Sequence, residues 1–246
     1  MIRDYAEHVY KVLGPGYSER VYHNAMEVVL RKNGVHYDTE RIVPIVFEGH
    51  TIGNLRADLI LNNKKNSLIV DIGSSVDKKF SSNYQAGALS FEIISNDKKL
   101  ISNCGYFQDH NHKLNELSKT TAAHSALVIN DQSSCKFKKD YQSNSIISDG
   151  LKIIKKNIVF EKNYWKINAS HDGYLKNYGI IHNREIEFFP EQMKFIGYDR
   201  LISKNKIKNL KFDIRFHLEP SSKVMKTQDN KSIFIDLDGE GWKFNS

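Results

Sequence analysis

From Gln85 to Asp131 the chain reads QAGALSFEIISNDKKLISNCGYFQDHNHKLNELSKTTAAHSALVIND, and this pattern restricts the fold to short strands. In GALSFEII, Leu89, Phe91 and Ile93 fall on one face of an alternating segment, which predicts a strand with one buried side. Asn96 and Asp97 supply turn chemistry, and KLISNCG returns as a second strand. After a polar loop, TTAAHSALVIND predicts a third strand carrying His124 in its first half. Residues 170–188, SHDGYLKNYGIIHNREIEF, and DIRFHLEP near the end share this texture. Short strands joined by polar turns at this spacing predict an antiparallel β-sandwich.

The first sixty residues follow a different period. Ile2, Tyr5, Ala6, Val9, Val12 and Leu13 form an apolar stripe at helical spacing, broken by Gly14-Pro15-Gly16. A second helix is predicted from about Ser18, its N-cap, to Lys32, with Gly34 as its stop. Val21, Tyr22, Ala25, Met26, Val28 and Val29 mark its inward side. IVPIVF, a Glu48-Gly49 turn and HTIG predict a hairpin, with LRADLIL as a further strand. The expected fold is therefore α+β: a small helix–hairpin fragment over residues 1–63, then a large antiparallel sandwich over residues 64–246.

A chain of 246 residues with 40% hydrophobic content holds real cores. No apolar run reaches the roughly 18 residues of a membrane-spanning helix, and MIRDYAEHVYKVLG lacks the apolar region of a secretory signal. As written, a cytoplasmic location is expected. Cys104 and Cys135 make neither a disulfide framework nor a metal cluster, and read as buried free thiols. The net charge of +7 is uneven. Residues 1–62 hold 7 of the basic and 8 of the acidic side chains, leaving 29 of 36 basic and 21 of 29 acidic residues beyond them. A basic β domain attracts anionic polymers, nucleic acid or acidic polysaccharide, although Lys and Asn are abundant throughout.

Residues from about Lys64 to Ser246 resemble the C-terminal β-sandwich domain of the heparinase II/III family. The resemblance is carried, in order, by SLIVDIG, AGALSFE, LISNCG, TTAAHSALVIND, SHDGYLKNYGIIHNR, DIRFHLEP and GEGWKF. Family lyases cleave acidic polysaccharides by β-elimination, neutralising a uronate carboxylate while a Tyr or His removes the C5 proton. By this resemblance most of that apparatus sits on a helical toroid preceding the sandwich, so the expectation for these residues is glycan binding or an accessory role without activity alone. A toroid-bearing partner chain and a cell-envelope or periplasmic setting for full-length relatives are further implications.

Gly16, Glu19 and Tyr22 stand as G-x-x-E-x-x-Y, similar to the proteins named for that signature, relatives of PD-(D/E)XK nucleases. The likeness continues through about Asn62 and suggests a gene fusion. In such nucleases a helix glutamate, a strand aspartate and an acidic-x-Lys strand collect Mg²⁺ and orient water. Glu19 and Asp58 match the first two positions. Asp71 stands for the third acid, but Gly73 occupies the lysine position, so the nuclease reading predicts a degenerate site, and Mg²⁺ enters only with it.

On the lyase side the candidates are His124, His171, Arg215 and His217. Where some family members hold a metal, this chain has Gln85 and Asn103 in place of a histidine and an aspartate, with His124 at the remaining position. One histidine with two amides is not a zinc site, so no metal is expected and His124 reads as a hydrogen-bonded strand histidine. His171 and Asp172, adjacent on a strand, point to opposite faces and pair only if a turn at Gly173 intervenes. His182 and Arg184 share a face that suits an anionic group and is explained equally well as a solvated polar face. Arg215 and His217 share another, opposite Ile214 and Phe216, and suit a sugar carboxylate. His110 and His112 lie in a polar loop without metal-type spacing.

Overall fold

The computed structural model describes residues 2–15, 19–33, 42–47, 50–56, 59–62, 65–105, 113–204 and 209–245. Met1–Arg41 and Ile42–Ser246 form two compact units. The first contains α1 (Ile2–Leu13) and α2 (Glu19–Lys32). Gly14, at a φ of +70°, ends α1 in the left-handed conformation that glycine adopts at least cost. Its carbonyl accepts the Tyr22 hydroxyl at 2.6 Å, which fixes the helical turn. Val9 is buried, but Val21 and Val28, expected inward, are 38% and 46% exposed. The predicted cap Ser18 and stop Gly34 lie outside the described residues.

The second unit begins with a hairpin of β1 (Ile42–Phe47) and β2 (His50–Arg56). The predicted strand LRADLIL is divided: its first residues complete β2, and β3 (Leu59–Asn62) follows, paired antiparallel with β4 (Asn66–Val70). β5 (Phe91–Ser95) and β6 (Lys98–Ser102) form the expected hairpin, with Asn96 and Asp97 both at positive φ. Such a turn matches the right-handed twist of its strands. β5 starts later than the alternation predicts, because Leu89 sits in a turn at a φ of +61°. Ser90 N–H donates to Gly87 O at 2.7 Å across that turn, and the Leu89 side chain is still fully buried.

Next come helix α3 (Leu114–Ser118) and β7 (Leu127–Ile129). The third predicted strand is therefore cut short: Thr121–Ala123 form a 3-10 turn, and His124 is extended at its end rather than within a strand. β8 (Lys136–Lys139) and β9 (Ser145–Asp149) pair with each other. β10 (Ile153–Glu161), β11 (Tyr164–His171), helix α4 (Leu175–Tyr178), β12 (Ile180–Phe189) and β13 (Lys194–Ser203) follow, and the four strands form a meander in sequence order. β14 (Phe212–Ile214) pairs with β7, and β15 (His217–Leu218) pairs with β6. DIRFHLEP is thus not one strand; it changes sheets at Arg215 and Phe216. β16 (Lys223–Lys226), β17 (Ser232–Leu237) and β18 (Glu240–Asn245) make a final three-stranded sheet.

The five-stranded sheet β15-β6-β5-β4-β3 and the β10–β13 meander enclose the main core. Leu68, Val70, Phe91 and Ile93 from the first meet Trp165, Ile167, Ile186 and Phe188 from the second, and Ile235 and Leu237 close one end. Trp165 and Phe188 rings pack edge to face at 4.7 Å. Burying each such side chain contributes about 1.5–3 kcal/mol, which outweighs weak local strand propensity. Alternation in β11 and β12 carries this core on one face, so the predicted antiparallel sandwich and the α+β class are observed.

Candidate functional site

Polar groups run through the middle of this sandwich. His171 ends β11 and faces inward, as do His182 and Arg184 on β12 and Asp199 on β13. The registers place His171 opposite His182 and Arg184 opposite Asp199. Gly173 N–H donates to His171 Nδ1 at 3.0 Å, so the proton of that ring sits on Nε2. Nε2 then donates to His182 Nδ1 at 3.1 Å, and His182 Nε2 donates to Asp199 Oδ1 at 2.6 Å. Arg184 grips the same carboxylate through Nε at 2.8 Å and Nη2 at 2.9 Å. Its Nη1 donates to Leu89 O and Ser125 O, both at 2.8 Å.

Burial pushes the His171 imidazole well below its ordinary range, reinforced by His182 and Arg184. His182 moves the same way through burial, against the pull of Asp199. Burial alone would raise Asp199, but the His182 hydrogen bond and the Arg184 guanidinium hold it well below the usual carboxylate range. The chain of donors is neutral at both histidines, with one buried ion pair at its end. The anionic group expected for His182 and Arg184 is thus Asp199 of the same chain. His171 and Asp172 do not pair: Asp172 Oδ1 accepts Lys152 N–H at 2.6 Å.

Arg184 ties this network to the loops bearing the remaining candidates. Ser125 N–H donates to Asn103 Oδ1 at 2.7 Å, while Asn103 Nδ2 donates to buried Glu92 Oε1 at 3.1 Å. Lys99 Nζ lies 3.4 Å from the other Glu92 oxygen. The His124 ring packs on Gly87, where an added Cβ would lie 3.2 Å from Nδ1. Burial first, then His217, lowers its pKa to about 4, against a hydrogen bond to the Ser118 backbone. Its Nε2 is buried without a hydrogen-bond partner. His217 Nε2 donates to Ala122 O at 3.0 Å, and its Nδ1 lies 3.6 Å from the thiol of Cys104. Cys104 is exposed rather than buried as expected, Cys135 is buried, and both are free. Arg215 points elsewhere, 3.7 Å from Asp131, so it and His217 do not converge.

The family metal position does not fit these residues. The Asn103 amide is spent on Ser125 and Glu92, Gln85 is a weak donor, and the free His124 nitrogen is shut away. Among the described residues no group of three His, Cys, Asp or Glu could hold a metal ion. On the nuclease side, Glu19 lies in α2, Asp58 falls outside the described residues, and Asp71 Oδ1 accepts Gly73 N–H at 3.1 Å. His110 and His112 also lie outside the described residues. Asp199 and Glu92 escaped the sequence reading. The signal for Asp199 was the β12–β13 hairpin register, which sets an acid opposite Arg184 once the turn at Pro190–Gln192 is fixed.

Residues 56–246 match the family model described as Heparinase II/III-like, C-terminal, and residues 1–87 match the PD-(D/E)XK nuclease superfamily. The two matches overlap over residues 56–87. Among solved structures, heparan sulfate lyase HepC from Pedobacter heparinus aligns with a TM-score of 0.51 at 13% identity, over 97% of this chain and 33% of that chain. A heparinase III structure gives 0.53 at 12% identity, over 95% of this chain and 32% of that one. At such identities the likeness shows the fold alone, and the chain spans about a third of their length. A search among curated proteins found no match. No helix among the described residues is long and apolar enough to cross a membrane.

Proposed function

We propose that this chain, which belongs to the heparinase II/III-like C-terminal family, binds acidic polysaccharide and carries out no elimination by residues 1–246 alone. One observation carries the absence of elimination: among the described residues His171, His182 and His124 offer no solvent-accessible ring nitrogen, and the Nδ1 of His217 faces the Cys104 thiol at 3.6 Å. His171 and His182 are consumed by the relay ending at Asp199, and His217 lies between Ala122 O and Cys104. His124 keeps a free nitrogen, but a buried one. A general base needs an accessible lone pair within reach of the C5 proton. The boundary we propose at 63/64 marks where two sequence ancestries meet rather than where folding units part, since β3 and β4 pair across it.

The test is to mix the purified protein with heparin-like and alginate-like polymers, reading bound polymer and the ultraviolet absorbance of unsaturated uronate. Binding without absorbance is expected. Product formation, or no binding to any acidic polymer, refutes the reading. A second reading rests on the match over residues 1–87: Mg²⁺-dependent cleavage of nucleic acid through Glu19, Asp58 and Asp71. Without a lysine at Gly73 that cleavage should be weak. Cleavage abolished in Asp58→Ala supports it, and cleavage unchanged in that variant dismisses it.

A further inference from the structure

Cys104 leaves the sheet just beyond β6, whose last residue, Ser102, has His217 of β15 as its ladder partner. The turn that follows α3 lies against both. Its Ala123 O accepts the Cys104 N–H at 2.9 Å, and its Ser125 Oγ accepts the His217 N–H at 2.9 Å while donating to Ser102 O at 2.7 Å. Both side chains therefore leave backbone that is already fixed. The His217 Nε2–H on Ala122 O at 3.0 Å puts the ring's lone pair on Nδ1, 3.6 Å from the Cys104 sulfur. The thiol thus donates to an imidazole whose tautomer a carbonyl holds: a nucleophile, a base and a group that orients the base.

The surroundings narrow what such a pair attacks. Cys104 is exposed, so a reagent reaches its sulfur. Acyl transfer needs N–H donors for a developing oxyanion, and the nucleophile's own amide commonly supplies one. Here that amide is spent on Ala123 O. Disulfide exchange develops no oxyanion; it needs an accessible sulfur and a place for its proton. Partial burial pushes the Cys104 thiol up, so bare thiolate is scarce and the proton acceptor governs reactivity. His124, the titratable neighbour coupled to His217, has its pKa lowered to about 4 and adds no positive charge against a His217 imidazolium. Cys135 is buried against Ser75 Oγ at 3.6 Å and does not serve as a second, resolving thiol.

We infer that Cys104 is a thiolation site, at which a small disulfide exchanges onto the sulfur with His217 as general base and then general acid. The Sγ–H bond breaks and its proton passes to His217 Nδ1, while the sulfur bonds to one sulfur of the incoming disulfide. The S–S bond of that reagent breaks, and the departing thiolate takes the proton back from Nδ1. In sum, Cys104–SH and R–S–S–R give Cys104–S–S–R and R–SH. The Cys104 sulfur is oxidised and the departing sulfur reduced, so no further oxidant enters. With Cys135 buried, the reaction stops at the mixed disulfide. The site stands apart from the glycan-binding reading and holds whether or not that reading does.

The experiment mixes the folded whole chain with dithiodipyridine, an uncharged disulfide, and follows the released thione by absorbance. Wild type and Cys135→Ser should each show one fast-reacting thiol, and Cys104→Ser none. His217→Gln keeps a donor for Ala122 O but loses the basic nitrogen, and should react about tenfold or more slowly at about pH 7. Cys104 in Cys135→Ser unfolded by urea should be slowed by a similar factor. Oxidised glutathione should leave one glutathionyl group on Cys104, located by peptide mass. If His217→Gln does not melt cooperatively, the folded-against-unfolded comparison decides in its place. A folded His217→Gln as fast as wild type, or a native Cys104 no faster than the unfolded one, overturns the proposal. A dimer linked through Cys104 in place of the glutathione adduct overturns the small-disulfide assignment.

Discussion

Acidification should destabilise this protein through its buried histidines, and the share of one of them, His124, can be isolated. His124 is 4% exposed and its pKa falls from 6.5 to about 4, first through burial and then through His217. The unfolded chain therefore takes up a proton that the folded chain refuses, so stability falls as pH drops through that interval and is unaffected above it. A displacement from 6.5 to about 4 corresponds to about 3 kcal/mol at about 1.4 kcal/mol per pH unit. Spread over a unit of this size, that is a Tm lowering of about 6–12 °C. Among the described residues His217 is the titratable neighbour that acts on His124. His171 and His182 bend the stability curve the same way, so the single-site effect must be read as a difference. Urea unfolding of wild type and His124→Gln, followed by fluorescence of the buried Trp165, should be compared at about pH 7 and about pH 4.5. The variant should lose about 2–3 kcal/mol less than wild type across that range, whatever its starting stability. Equal losses in the two proteins would show that His124 is not buried neutral and would refute the reasoning.

Asp199→Asn should cost about 3–5 kcal/mol in urea unfolding, because it leaves the Arg184 guanidinium buried opposite an amide. Replacing Arg184 by Met in that background should recover part of the loss. Gly173→Ala should destabilise by on the order of 2 kcal/mol, since its Cβ would stand 2.6 Å from Ser134 O and 3.1 Å from His171 Nδ1. Gly179→Ala, at a φ of +68° in open space, should cost only about 1 kcal/mol by the same assay. Asn103→Asp should lower Tm, by about 2 kcal/mol of stability, by setting a second carboxylate against buried Glu92. Chelator should leave the melting of wild type unchanged, and a fall in Tm on chelation would show a resident metal. Trp165→Ala should cost about 3–5 kcal/mol through the cavity between the two sheets.

The site was less legible than the fold because its contacts are made between strands, whereas sequence patterns describe single strands. His182 and Arg184 were visible as a pair on one face, which suited an anionic group and a solvated polar face equally. That the partner is Asp199, 15 or more residues away, depends on a hairpin register. The alternation of GALSFEII gave the right inward face but the wrong start. A leucine at positive φ is a cost no local rule foresees, and here Arg184 Nη1 holds its carbonyl in place. His124 failed as a strand residue for a similar reason: the backbone of Thr121–Ala123 takes a 3-10 turn around the hydroxyl contacts of Thr121, Ser133 and Ser134.

Period and punctuation determined the two helices, the antiparallel sandwich and the Asn96-Asp97 turn, and ordered motifs carried both family resemblances, because each depends on residues close in the chain. The tertiary structure decided which polar groups face one another: the relay from Gly173 to Asp199, the two-point grip of Arg184 on that carboxylate, and the spent amide of Asn103. Such pairings depend on strand register and loop closure. A shift of one residue turns every side chain to the opposite face, and only packing of the whole core selects among the registers.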